Sequence, residues 1–126
     1  MGVEYRIREN VPQGMLAKLF RISWDPPAPA PPVEHSLSWI TAHDGEALVG
    51  FVNVAWDGGT HAFLLDPTVN PAWRRRGIGT VLVRKAVEEA RRAGVQWMHV
   101  DYEPSLAGFY EGCGFRPTSA GLIDMR

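Results

Sequence analysis

The chain has 126 residues, a formal net charge of −1 and 45% hydrophobic residues. That length suits one domain spanning 1–126, long enough to bury a core, and the near-neutral charge argues against a general nucleic-acid or membrane-surface binder. A single cysteine, Cys113, excludes an internal disulfide framework, and no stretch approaches the roughly 20 apolar residues of a membrane span, so a cytoplasmic protein is the expectation.

Val3, Tyr5 and Ile7 alternate with charged residues, the pattern of a half-buried strand. From Pro12 to Ser23, Met15, Leu16, Leu19 and Phe20 fall at helical spacing, with Pro12 as a start signal. Five prolines between Asp25 and Val33 predict an extended loop. Ser36–His43, Glu46–Trp56 and His61–Val69 then read as three strands of an antiparallel meander. Asp44-Gly45 and Asp57-Gly58-Gly59 supply its turns, and the middle strand is apolar on both faces.

The period changes after Val69. Ile78, Val81, Leu82, Ala86, Ala90 and Ala93 form one helical stripe between Gly77 and Ala93, and Gly94 follows as a cap. Val95–Asp101 reads as a short strand and Pro104–Glu111 as another helix. The tail from Phe115 to Met125 is expected to supply one or two edge strands. Strand, helix, strand implies one parallel crossover on an otherwise antiparallel sheet.

Between the two regimes lies Val69-Asn70-Pro71-Ala72-Trp73-Arg74-Arg75-Arg76-Gly77-Ile78-Gly79-Thr80. Seven of the thirteen basic residues lie between Arg74 and Arg92. A helix start leaves N–H groups unpaired and carries partial positive charge, glycines let an anion reach the backbone, and arginines add charge. The dinucleotide fingerprint fails because position 82 is leucine, and the P-loop fails because no lysine follows Gly79. The bland reading of the segment is a solvated basic turn.

Arg74-x-x-Gly77-x-Gly79 resembles the acetyl-CoA pyrophosphate loop of the GNAT N-acetyltransferases, and Val69-x-Pro71 stands where that family ends a strand. Phe109-Tyr110-Glu111-Gly112-Cys113-Gly114-Phe115 resembles the family's second signature. The order of elements agrees along almost the whole chain.

The resemblance implies an α+β fold: a mixed, mostly antiparallel sheet flanked by helices, with a V-shaped splay between the strands at His61–Val69 and Val95–Asp101. It implies acetyl-CoA as co-substrate, with the pantetheine arm bonding near Thr68 and Val69. The pyrophosphate would lie on N–H groups from Arg75 to Thr80, including those of Arg76, Gly77, Ile78 and Gly79, with Arg74 beside them. Tyr110 would protonate the leaving thiolate after an amine attacks the thioester directly. The rival is a non-catalytic acyl-CoA-binding module of the same fold.

Two positions depart from the family. Pro67 stands where a backbone N–H often polarises the thioester carbonyl, and proline has none. Glu103 and Leu106 replace residues that often contact CoA. Asp66 and Asp101 are alternative general bases, each also readable as a strand-end carboxylate bonded to turn amides. Trp24, His35 and Trp39 are candidates to bind an amine acceptor, a small molecule or a peptide, with core packing the other reading of Trp39. The four histidines have no metal-ligand spacing, so no metal is expected. Cys113, between glycines, reads as a packing residue. Nucleic-acid and membrane partners are not expected, and the chain is expected to be a monomer or homodimer.

Overall fold

The computed structural model describes residues 2–126. The strands β1 (Glu4–Ile7), β2 (Ser38–Asp44), β3 (Ala47–Trp56), β4 (His61–Val69) and β5 (Trp97–His99) lie side by side in that order. Each of the first three pairs is antiparallel, and β5 joins β4 in parallel. One helix, α1 (Gln13–Ser23), covers part of one face. A second, α2 (Ile78–Arg92), covers the other, and the short α3 (Ala107–Gly112) follows a 3-10 turn at Pro104–Leu106.

Residues Ile78, Leu82, Ala86 and Ala90 recur every fourth position, so one stripe of α2 is buried, with Val83 beside it. The stripe packs on Ile40, Val52, Val54 and Leu64. Each fully buried large aliphatic contributes about 1.5–3 kcal/mol. On the opposite face Leu16, Leu19 and Phe20 of α1 pack on Leu48 and Phe51. With a helix on each side, β3 is buried from Leu48 to Val54, which is why its sequence shows no polar face.

Gly50 brings α2 close to the sheet. A Cβ there would lie 3.0 Å from Leu82 Cδ1 and 3.2 Å from both Ala42 Cβ and Ile78 Cγ2. Gly50→Ala is therefore expected to destabilise the fold by about 1–3 kcal/mol through overpacking, read as a lower Tm. An unchanged Tm would show that α2 can move aside freely.

The central irregularity is in β4. Phe51 pairs with Thr68 and Asn53 with Leu65, so Val52 faces both Asp66 and Pro67. This is a β-bulge, and Asp66 takes a left-handed φ of 55° there. The proline at 67 predicts such a break, because it cannot donate to a ladder. Pairing between β4 and β5 ends at Phe63–His99, while β4 runs on to Val69. The two strands part beyond that rung.

Three sequence expectations are corrected. β5 is shorter than Val95–Asp101: the Val95 N–H is used by the Ala90 carbonyl at the helix end, and the chain leaves the sheet after His99. The helix expected from Pro104 opens as a 3-10 turn, and α3 proper begins at Ala107. No strand forms from Phe115 to Met125. Pro117 and Gly121 interrupt that stretch, and Leu122, Ile123 and Met125 are more than four-fifths exposed.

Candidate active site

Beside the unpaired end of β4 lies a cleft of about 450 Å³. Its walls come from the end of α1, the bulged end of β4, the loop into α2 and the inner side of α3.

The floor is the start of α2. Asn70 closes the chain after β4 by accepting from the Ala72 N–H at 2.9 Å, and Pro71–Trp73 makes one 3-10 turn. Arg75 and Gly77 then take left-handed φ values of 66° and 79°, turning the chain into the helix. Gly77 is the cap residue, and α2 has no side-chain cap. The N–H groups of its first turn are therefore open to an anion, with the helix dipole behind them.

Of the residues proposed from sequence for the cofactor, Thr68, Val69, Arg74, Arg75, Gly77, Ile78, Gly79 and Thr80 line the cleft. The side chain of Ile78 belongs to the core, 2% exposed, so only its backbone can serve a ligand. Arg74 is held to the protein: Nη2 donates to the Ser23 carbonyl at 3.0 Å and Nε to the Val69 carbonyl at 3.4 Å. It ties α1 to β4 across the cleft. Arg76 turns away, its guanidinium 4.4 Å from the Trp73 ring centre. Only Arg75 of the three lines the cleft without such a tie.

The upper wall carries Tyr110, 5% exposed and held by aromatic contacts. Tyr102 stacks on it at 4.9 Å, and Phe109 and Phe115 meet it edge-on. Burial, then the charges of Cys113 and Asp101, hold its hydroxyl above the ordinary phenol range. It remains protonated at neutral pH. Burial also pushes the Cys113 thiol up, outweighing the pull of Arg84 the other way, so it stays protonated at neutral pH.

At the bulge, burial and then the charge of Asp101 raise the Asp66 carboxyl above its ordinary value. The charge of Asp101 acts on both Asp66 and Tyr110, but of the three only Tyr110 lines the cleft. Pro67 lies on the cleft wall between Asp66 and Thr68 and offers no N–H there.

The acceptor candidates separate. Trp24 lines the cleft, its indole N–H donating to Thr68 Oγ1 at 3.0 Å; that hydroxyl in turn donates to the Asp66 carbonyl at 2.8 Å. His35 is exposed in the proline-rich connection and does not reach the cleft wall. Trp39 donates its indole N–H to the Glu9 carbonyl at 2.9 Å and packs beside the α1 core, also away from the cleft.

Sequence reading missed Ser23, Trp73 and Phe109, which complete the walls. The Ser23 hydroxyl oxygen is buried without a hydrogen-bond partner among the described residues, a condition costing about 1–3 kcal/mol unless something fills it. No sequence signal marks it, because its place depends on α1 ending against Arg74. Among the described residues no group of three metal-ligating side chains converges, and no helix is long and apolar enough to cross a membrane.

A mycothiol acetyltransferase from Nocardia farcinica is 40% identical over 87 residues, 69% of this chain. The chain spans only 28% of that protein and 45% of an N-acetyltransferase from Pyropia yezoensis that it also matches. Its fold matches a GNAT-family acetyltransferase from Streptococcus pneumoniae with a TM-score of 0.80 at 24% identity, covering 99% of this chain and 100% of that one. It also matches AAC(6')-Iy, solved with the bisubstrate analogue CoA-S-monomethyl-acetylneamine. There the TM-score is 0.76 at 17% identity, over 100% of this chain and 99% of that one. The family model described as acetyltransferase (GNAT) family matches residues 13–115, and the chain belongs to that family.

Proposed function

We propose that this chain moves an acetyl group from acetyl-CoA to a primary amine by direct attack. The observation that carries the reading is one cleft with an uncapped helix start on its floor and a buried, protonated tyrosine on its wall. Family membership supports it, as does the likeness to a fold that takes a CoA bisubstrate analogue.

In this reading the N–H groups from Arg75 to Thr80 hold the pyrophosphate, with Arg75 adding charge and Gly77 and Gly79 leaving room. Arg74 acts by fixing the cleft width, and Arg76 by packing on Trp73. Thr68 and Val69 border the pantetheine arm, and the unpartnered Ser23 hydroxyl offers it a hydrogen bond.

The amine nitrogen forms a bond to the thioester carbon, and the C–S bond breaks. A carboxylate, Asp66 or Asp101, takes the proton lost from nitrogen, and Tyr110 gives its proton to the departing sulfur. A phenol of pKa about 10 is a suitable donor to a thiolate whose acid has pKa about 8.5. Holding the two reactants together supplies most of the acceleration. With Pro67 at the bulge, polarisation of the carbonyl falls to other donors, of which the Thr68 N–H is next in the chain.

Release of free thiol from acetyl-CoA across a panel of amines tests the reading. Amine-dependent release supports it, and tight acetyl-CoA binding with no release favours a binding module.

The raised Asp66 carboxyl gives a pH prediction. A base must be ionised, so kcat/KM should rise with pH through that raised value, and Asp66→Asn should abolish this limb. A limb that survives unchanged excludes Asp66 as the base. Stability runs the other way. A carboxyl whose folded pKa lies above its unfolded value stabilises the fold at low pH, and that contribution is lost as pH rises through the folded value. Asp66→Asn should therefore raise Tm at neutral pH relative to the parent, with the gain shrinking toward pH about 4.

A further inference from the structure

The sheet face that carries α1 is uncovered at its far end, and that end is aromatic. Phe63 pairs with Ala55 and therefore shares a face with Phe51 and Asn53, the face on which α1 packs. α1 covers Phe51 and stops short of Phe63, which is 41% exposed. His61 and Phe63 of β4 face the same way, and their parallel partners Trp97 and His99 join them. Trp97 is 56% exposed.

The rings are ordered. Phe63 and His99 stack at 4.8 Å and 18° on the last rung before the strands part. His61 Nδ1 lies 2.8 Å from His99 Nε2, so His99 is fixed by a stack on one side and a hydrogen bond on the other. Of the acids near the patch in the chain, Asp57 is occupied: Oδ1 accepts from the Gly59 N–H at 2.7 Å and the His61 N–H at 3.2 Å, which leaves Asp66 and Asp101. The patch itself therefore offers flat aromatic surface, and a carboxylate for an amine comes from beyond it in the chain.

We propose that Phe63 and His99 form a platform for the acceptor, selecting primary amines that carry an aromatic ring two or three carbons from nitrogen. This rests on the reading of the chain as an amine acetyltransferase. The reach follows from the backbone. Asp101 is two residues beyond His99, at most about 7 Å along an extended chain. A ring lying on the Phe63–His99 stack, at the usual spacing of about 4.5–7 Å between ring centres, puts a nitrogen on a two- or three-carbon tether beside Asp101. A longer tether overshoots, and an amine without a ring leaves the platform bare. His61 acts as a positioning residue that fixes the His99 ring.

The test compares 2-phenylethylamine with butylamine as acceptors for acetyl-CoA. The parent is expected to favour the aromatic amine in kcat/KM by about tenfold or more. Phe63→Leu keeps apolar bulk at a half-exposed site but removes the flat face. It should cut that ratio about fivefold through KM for the aromatic amine while acetyl-CoA affinity holds, and Phe63→Tyr should retain the preference. A parent ratio near one, or a ratio indifferent to Phe63→Leu, overturns the platform. Binding is also read without turnover, from the ring-proton chemical shifts of His61 and His99 in the parent. 2-Phenylethylamine should move them and butylamine should not, and absent shifts overturn the platform. Shifts without turnover of any amine uphold the platform and overturn the transfer reading instead.

Discussion

Tyr110→Phe is expected to lower kcat and kcat/KM together by about 10²–10⁴-fold, with acetyl-CoA affinity little changed. The hydroxyl gives its proton only as the C–S bond breaks, so its loss acts on the transition state and spares ground-state binding. The wild-type group is well suited to wait: burial holds its pKa above the ordinary value, so it carries a proton across the neutral range. Phenylalanine keeps the ring and with it the contacts to Tyr102, Phe109 and Phe115, so the Tm should stay close to the parent's. A variant as fast as the parent would mean that water protonates the thiolate, or that the thiolate leaves unaided.

Gly79→Val should weaken acetyl-CoA by more than about tenfold, or about 1.4 kcal/mol. A Cβ at position 79 would meet Phe109 Cζ at 3.6 Å and Val69 Cγ2 at 3.9 Å, which is ordinary contact. The valine methyls have to go further, into the space above the first turn of α2, where a phosphate would approach the N–H groups. The fold should survive, because valine costs only some tenths of a kcal/mol of propensity in a helix. Position 77 is a less clean probe, since its φ of 79° strains any side chain whether or not a ligand binds there. Calorimetric titration of the folded variant decides: unchanged affinity would move the pyrophosphate elsewhere.

What was legible in the sequence follows from how local each feature is. β4 was readable to the residue, because turn residues fence one end and Pro71 the other, and α2 because its apolar stripe repeats every fourth position. The bulge was foreseeable from Pro67 alone, since a residue without an N–H cannot sit in a regular ladder. The glycine and arginine loop announced an anion site through backbone chemistry. It did not announce that Arg74 would bond to Ser23 and Val69, or that Arg76 would lie on Trp73, because side-chain direction is decided by neighbours brought in by the fold.

The misses are non-local in the same way. β5 is shorter than its apolar run, because its pairing lasts only as long as β4 stays alongside. The tail looked strand-like from its apolar residues, yet nothing in the fold pairs with it. Trp39 and His35 were grouped with Trp24 by composition, and the register of β2 sends Trp39 toward Glu9 instead. His61, Phe63 and His99 could not be joined beforehand, since their contact exists only through the parallel register of β4 and β5.

Incubation with acetyl-CoA isotopically labelled in its acetyl group, together with an accepted amine, is the most direct test of acetyl transfer through this cleft. The label should appear in the amide product with an equal amount of free CoA, and the protein itself should stay unlabelled when the reaction is stopped part-way. Label retained on the protein, or released only as acetate whether or not an amine is present, would contradict direct transfer from acetyl-CoA to the amine.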